Sequence, residues 1–239
     1  MPVNIPTDIT ISSETVQFTS DKTPINAFFA RPSKPAKLIP GVVIIHEWWG
    51  LNDHIKDIAR RFAKAGYAAL APDLYARQGS KVAADANEAS KLMSGLSSQS
   101  ALRDLNAAVT CLKAQPSIDG LRLATVGFCM GGTLALTMAG HNSELKAAVV
   151  FYGKVPPIES FKYLLCPILY HYGEQDDWVT TQEVQRLRDG LAQFGKPGEV
   201  VTYPAPHAFF NDTRPDVYRK DLAENAWQKT LQFLQHHLS

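Results

Sequence analysis

The sequence predicts an α/β class: a mostly parallel central sheet with helices on both faces and an antiparallel hairpin at its N-terminal end. Three observations carry this. Short apolar or β-branched runs alternate with segments of helical periodicity along most of the 239 residues, the pattern of a parallel sheet with crossover helices. One run, GVVII at Gly41–Ile45, is apolar without alternation, as expected of a strand buried on both faces. Near the start, two strand-like runs flank a Ser-Asp-Lys-Thr-Pro turn.

Taken in order, Thr15–Phe18 and Ile25–Ala30 form the hairpin and Gly41–Ile45 the first buried strand. Ile55–Ala65 (IKDIARRFAKA) has apolar residues at helical spacing and stops at Gly66. Tyr67–Ala71 is a strand ended by Pro72, and Leu102–Ala114 a helix. Between them Gln78–Gln99, with several Ser and Ala, reads as either a helix or a mobile loop, and whether it covers a site is open. Arg122–Gly127 is a strand, and Thr133–Ala139 a helix of small and apolar residues. Lys146–Phe151, Pro167–His171 and Glu199–Tyr203 supply three further strands, and Gln182–Phe194 and Tyr218–Leu238 two further helices. No composition break divides the chain, so one α/β domain over residues 1–239 is expected.

Composition narrows the function classes. Lys+Arg 24 against Asp+Glu 23 gives a net charge of +1, which leaves no electrostatic footprint for nucleic acid or an anionic membrane. No stretch approaches ~20 apolar residues, so no transmembrane helix is expected. The opening, MPVNIPTDITISSETVQF, lacks the basic and apolar regions of a secretory leader. Three cysteines, Cys111, Cys129 and Cys166, are too few and too scattered for a disulfide framework, and a reducing cytoplasm is the expected compartment. A monomer is the expected assembly.

Gly127-Phe128-Cys129-Met130-Gly131-Gly132 lies between a β-branched strand and a helix. It has the form G-x-C-x-G-G, a nucleophile elbow with Cys in place of Ser. Such a turn is strained, and glycines on its flanks let neighbouring backbone approach. The helix that follows aims its N-terminal N–H groups at the turn, which favours a thiolate and a developing oxyanion. Taken alone, the pattern also suits a buried Cys in a Gly-rich turn. Cys111, mid-helix, and Cys166, before a strand, read as inert buried thiols. In the α/β-hydrolase architecture an acid and then a histidine follow the nucleophile. Here Asp176 follows the strand Pro167–His171, and His207 follows Glu199–Tyr203, both at carboxyl ends where open α/β sheets bind ligands. His207 would deprotonate Cys129 and Asp176 would orient the imidazole, with the adjacent Asp177 as the competing acid.

These residues, with HEWWGLN at His46–Asn52, APDLYARQG at Ala71–Gly79, GFCMGG at Gly127–Gly132, YGEQDD at Tyr172–Asp177 and PHAFFN at Pro206–Asn211, resemble the dienelactone hydrolases (carboxymethylenebutenolidases) of the α/β-hydrolase fold. The resemblance implies a cofactor-independent, metal-independent hydrolase. Its substrate would be a small ester or lactone, typically an unsaturated lactone bearing a carboxylate. Cys129, Asp176 and His207 match the family triad. Glu47 matches a glutamate that takes the nucleophile's proton once substrate is bound. The backbone N–H groups of Met130 and Trp48 match the oxyanion hole, and Arg77 matches an arginine that binds the substrate carboxylate, its alternative being an exposed loop residue in a surface ion pair. A second family arginine, four residues after the histidine, is replaced here by Asn211, and Arg214 lies three residues further on. Arg214 would either reach the same carboxylate or serve as a surface charge. Trp49, like Trp48, would either line an apolar pocket or pack in the core.

Two points come from the residues themselves. An unpaired buried carboxylate is costly, so Glu47 directly after a buried strand stands out. Beside a thiol it would raise the thiol pKa by like-charge repulsion or accept its proton. His46-Glu47 is not a zinc motif, because Gly50 stands where H-E-x-x-H needs its second histidine. The leading expectation is therefore acyl transfer through a Cys129 thioester. The alternatives are a broader esterase or lactonase of the same fold and a non-catalytic, thiol-based ligand or redox sensor.

Overall fold

Two ten-residue strands, β1 (Ile11–Ser20) and β2 (Thr23–Pro32), open the structure, a computed structural model that describes residues 9–239. Residues 1–8 of the segment read against a secretory leader lie outside the described residues. The hairpin turns on Asp21 (φ 47°) and Lys22 (φ 62°), and two successive positive φ values make the type I′ turn whose twist suits a two-residue hairpin. Pairing runs from Ser20↔Thr23 out to Ile11↔Pro32, further than the sequence pattern suggests, because Ser12–Thr15 are polar on both faces.

The described residues fall into two compact units, 9–123 and 124–239. Together the strands make an eight-stranded, mostly parallel sheet. In the first unit β3 (Ile39–Ile45) runs parallel to β4 (Ala68–Pro72), and β4 is antiparallel to β2, giving the order β1-β2-β4-β3. Helix α1 (Asp53–Lys64) starts where the Asn52 side chain accepts the Ile55 N–H, and it ends before Gly66 (φ 94°), whose backbone a side chain would strain. It buries Ile55, Ile58, Ala59 and Phe62 at helical spacing. Helix α2 (Ala86–Ser94) is capped by Asp85, and α3 (Ser98–Lys113) by Ser97. Residues 78–99 therefore combine both: a 3-10 turn ends at Gln78, residues 79–85 are irregular, and α2 and the start of α3 are helical. Both α1 and α3 pack on β3 and β4, and every residue of β4 is buried, as a strand covered on both faces must be.

Strand β5 (Ile118–Phe128) begins in the first unit and ends in the second. The second unit continues with α4 (Met130–Ala139), β6 (Leu145–Phe151), β7 (Ile168–Gln175), α5 (Thr181–Gln193), β8 (Gly198–Pro206) and α6 (Lys220–His237). Strands β6, β7 and β8 are parallel neighbours, in the order β5-β6-β7-β8. α4 and α6 pack on β6, and α5 packs on a 3-10 turn at Ile158–Tyr163 that the sequence pattern did not suggest. An aromatic cluster fills this core: Phe151 stacks on Phe128 at 4.6 Å and on the ring of His171 at 4.4 Å. No described helix is long and apolar enough to cross a membrane.

Candidate active site

The elbow is built as the glycines require. Cys129 sits between β5 and α4 with φ 54° and ψ −116°, a conformation unfavourable for a residue bearing a Cβ. Backbone hydrogen bonds tie the turn: Cys129 N–H donates to the Phe151 carbonyl at 3.0 Å, and the Cys129 carbonyl accepts the Thr133 N–H at 3.1 Å. A Cβ on Gly127 would lie 1.9 Å from the Gly131 carbonyl oxygen, so no other residue fits there without moving the first turn of α4. Met130 is the first residue of that helix, where backbone N–H groups point out of the helix end.

Asp176 and His207 meet in the second unit. The Asp176 side chain is fully buried, and its Oδ2 accepts a hydrogen bond from His207 Nδ1 at 2.7 Å. Oδ1 accepts the N–H groups of Trp178 (2.7 Å) and Val179 (2.9 Å), so both oxygens are oriented. Asp177 is exposed. The other ring nitrogen of His207, Nε2, is buried and lacks a hydrogen bond of good geometry. Cys129 nonetheless lies close enough to act on the ring through hydrogen bonding and charge. The thiol–imidazole contact is thus a loose one, common for a nucleophile and base before reaction. Burial works against a charged His207, but the bond to Asp176 and the sulfur of Cys129 outweigh it, and the pKa is pushed up to about 10. Tyr152, itself at φ 42°, packs edge-on against His207 at 5.0 Å.

The other two thiols differ. Burial pushes Cys166 up to about 12, against a small opposing effect of Lys146. Cys111 is half-buried rather than buried, and its pKa is also raised by desolvation, partly offset by Gln115.

In the first unit, Glu47 directly follows the strand ending at Ile45 and His46, with 1% exposure. Trp48 and Trp49 are half-buried and pack against each other at 5.1 Å, edge to face. Arg77 is in the 3-10 turn after β4, where its guanidinium is ion-paired to Asp104 of α3 and also donates to the Ser20 carbonyl at 3.0 Å. Asp104 is completely buried, and its Oδ1 has no hydrogen-bond partner. In the second unit, Asn211 is 1% exposed, and its Oδ1 accepts the Thr213 hydroxyl at 2.7 Å and the Thr213 N–H at 3.1 Å. The Arg214 guanidinium pairs with Asp216 at 2.8 Å. Among the described residues no group of His, Cys, Asp and Glu is arranged to hold a metal ion.

The sequence model of the dienelactone hydrolase family matches residues 25–238. The chain belongs to the dienelactone hydrolase family. Its relatives include a protein of Escherichia coli K12 bearing the provisional name carboxymethylenebutenolidase, 35% identical over 226 residues that cover 88% of this chain and 82% of that one. A Bradyrhizobium protein provisionally named a 2-oxo-3-(5-oxofuran-2-ylidene)propanoate lactonase is 33% identical and covers 89% of each chain. A crystal structure from Klebsiella pneumoniae, provisionally named a dienelactone hydrolase, superposes with a TM-score of 0.89 at 31% identity, covering 95% of this chain and 99% of that one. The chain is thus a dienelactone hydrolase-family enzyme of the α/β-hydrolase fold, a hydrolase of esters or lactones with a small-molecule substrate.

One residue near this family site was not singled out in the sequence. Trp178 is 47% exposed, and its ring lies 6.1 Å from that of His207. Its place two residues after Asp176, in the loop that orients the acid, is the signal that would have found it.

Proposed function

We propose that this dienelactone hydrolase-family member cleaves the ester bond of a carboxymethylenebutenolide-like unsaturated lactone through a Cys129–His207–Asp176 triad and an acyl-thioester intermediate. The observation that carries the reading is the 2.7 Å bond from His207 Nδ1 to a buried, fully oriented Asp176, in the unit that also holds the strained elbow at Cys129. The Cys129 sulfur, as thiolate, attacks the lactone carbonyl carbon. The carbonyl π pair moves to oxygen, and the backbone N–H groups of Met130 and Trp48 receive that oxyanion. Collapse expels the enol oxygen, which takes up the proton that Glu47 accepted from the thiol, and leaves the acyl group on sulfur. Acylation removes the sulfur charge that helps hold a proton on His207, so the ring takes a proton from water as it attacks the thioester; the thiolate leaves and receives that proton from His207, and the carboxylic acid is released. Glu47 accepts the thiol proton at the outset. Trp49 lines the pocket, and Arg77, Asn211 and Arg214 face the substrate carboxylate.

A second reading, an esterase or lactonase for uncharged substrates, is favoured by a specific observation. Arg77 is already bound to a fully buried Asp104 and to the Ser20 carbonyl, and Arg214 to Asp216. Withdrawing Arg77 toward a ligand would leave a buried carboxylate without its counter-charge, at an expected cost of roughly 3–5 kcal/mol. Hydrolysis of a dienelactone, followed by loss of its ultraviolet absorbance, decides between the two when run beside p-nitrophenyl acetate with wild type and Cys129→Ala. Dienelactone turnover that vanishes in Cys129→Ala is the expected result. Turnover of the neutral ester alone would select the second reading, and turnover that survives in Cys129→Ala would remove the cysteine mechanism.

A further inference from the structure

We propose that His46 and Tyr75 are positioning residues for this hydrolysis: they pin, and His46 also polarises, the peptide unit between Glu47 and Trp48. This deepens the reading above and rests on it, because it takes the Trp48 N–H as an oxyanion donor.

His46 directly follows β3, which leads to this segment, and is fully buried. Its Nε2 lies 3.2 Å from the Leu74 nitrogen and accepts that backbone N–H, which only an unprotonated ring nitrogen can do. The ring proton is therefore on Nδ1, which donates to the Glu47 carbonyl at 2.5 Å. Burial holds the ring neutral by lowering its pKa, ahead of the opposing influences of the Glu47 carbonyl and Asp73. Both nitrogens are thus committed to backbone, and the tautomer is fixed by where those backbone groups lie.

The Glu47 carbonyl and the Trp48 N–H are two ends of one peptide unit. A hydrogen bond accepted at the carbonyl draws electron density from the nitrogen and makes the N–H a stronger donor. The neutral Nδ1–H thereby acts, through one amide, on the proton that would meet the oxyanion. The next carbonyl is fixed too: the Tyr75 hydroxyl donates to the Trp48 carbonyl at 2.8 Å. Tyr75 is itself immobile, being fully buried with its N–H given to Asp73 Oδ1 at 2.9 Å and its ring 5.1 Å from that of His46. Two consecutive carbonyls are therefore held, one from each ring. Leu74 and Tyr75, both just after β4, complete the clamp on the segment that follows β3. Preorganised donors stabilise a transition state because they need no reorientation when charge appears.

Two reactions of the same sulfur separate this role from plain structural support. Acylation of Cys129 by p-nitrophenyl acetate passes through an oxyanion, whereas alkylation by iodoacetamide is a direct displacement and forms none. His46→Phe keeps an aromatic of similar size and removes the donor. It is expected to slow acylation by about 10–100-fold, less than the roughly 10²–10³-fold for losing an oxyanion donor outright, with KM and the alkylation rate changed by no more than about twofold. His46→Gln, which can present an amide N–H to the same carbonyl, should recover most of the loss. Tyr75→Phe should slow acylation about threefold or more with alkylation again unchanged, and it carries the test if His46→Phe is not recovered folded. Equal effects on acylation and alkylation, or no effect on acylation, would overturn the clamp while leaving the cysteine reading in place. Ester turnover that survives in Cys129→Ala, or its absence from wild type, would overturn that reading and the clamp with it.

Discussion

At Asp176 every lone-pair direction that matters is assigned, two backbone N–H groups to Oδ1 and the imidazole to Oδ2. The carboxylate is therefore held in the plane that fixes which His207 nitrogen carries the proton. Replacing it by Asn, which can offer an N–H where an acceptor is needed, should lower kcat on the order of 10²–10⁴-fold. Asp176→Asn also removes the main influence raising the His207 pKa. His207 must be unprotonated to take a proton from water, so the acid limb of the pH–rate profile should accordingly move to lower pH. Asp177→Asn, at an exposed neighbour, should leave kcat within about twofold. Steady-state profiles of the two variants check both statements. The pairing of Asp176 with His207 was legible in the sequence because each follows a strand on the same side of the sheet. The clamp at His46 was not, because one partner lies 28 residues away at Leu74 and both partners are backbone groups, which no side-chain pattern announces.

Among the elements, the 3-10 turn after β4, helix α3 and the end of β1 are tied together by one ionic contact. Arg77 supplies the cation, Asp104 the buried anion and Ser20 a carbonyl. Truncating Arg77 to Ala strands Asp104 without a counter-charge and should cost roughly 3–5 kcal/mol in urea unfolding. The double variant Arg77→Met/Asp104→Leu should recover much of that loss, since an apolar pair leaves no buried charge. A role of Arg77 confined to substrate would instead leave unfolding unchanged. The elbow follows the same logic through sterics: Gly127→Ala sets a methyl against the Gly131 carbonyl and should destabilise by about 3 kcal/mol or more while slowing thiol chemistry. Sheet, hairpin and most helices were legible from periodicity. Helix α2 was not, since Ser and Ala blur its amphipathic stripe, although Asp85 followed by Glu88 carries an N-cap signature: the Asp85 side chain accepts the Glu88 N–H and Glu88 accepts the Ala84 N–H. The start of α4 was hidden for a different reason: Gly131 and Gly132 are poor helix formers, and a Cβ on Gly132 would lie 2.6 Å from the Phe151 carbonyl oxygen.

For the molecule as a whole, two histidines of the second unit bend the stability curve in opposite directions. His171 is fully buried between the Tyr203 hydroxyl and Thr230 Oγ1 at 3.0 Å each. Burial, aided by Lys229, pushes its pKa down to about 3. The unfolded chain then binds a proton that the folded chain refuses, so stability present above about pH 6.5 is lost as pH falls toward 3. His207, raised to about 10, contributes stability below about pH 6.5 that is lost as pH climbs through 10. Denaturant midpoints should therefore fall on both sides of neutrality, and His171→Gln should flatten the acid side alone. Acid loss of equal size in that variant would place its origin elsewhere. The three thiols carry a further, practical consequence. With Cys166 buried at a pKa of about 12 and Cys111 half-covered and raised, the folded chain should behave toward a mild electrophile as a single-cysteine protein. Intact-mass measurement should record one adduct on the native chain and three after unfolding. A dye or spin label can then be installed at the elbow of the unaltered sequence, with no cysteine removed to make room for it.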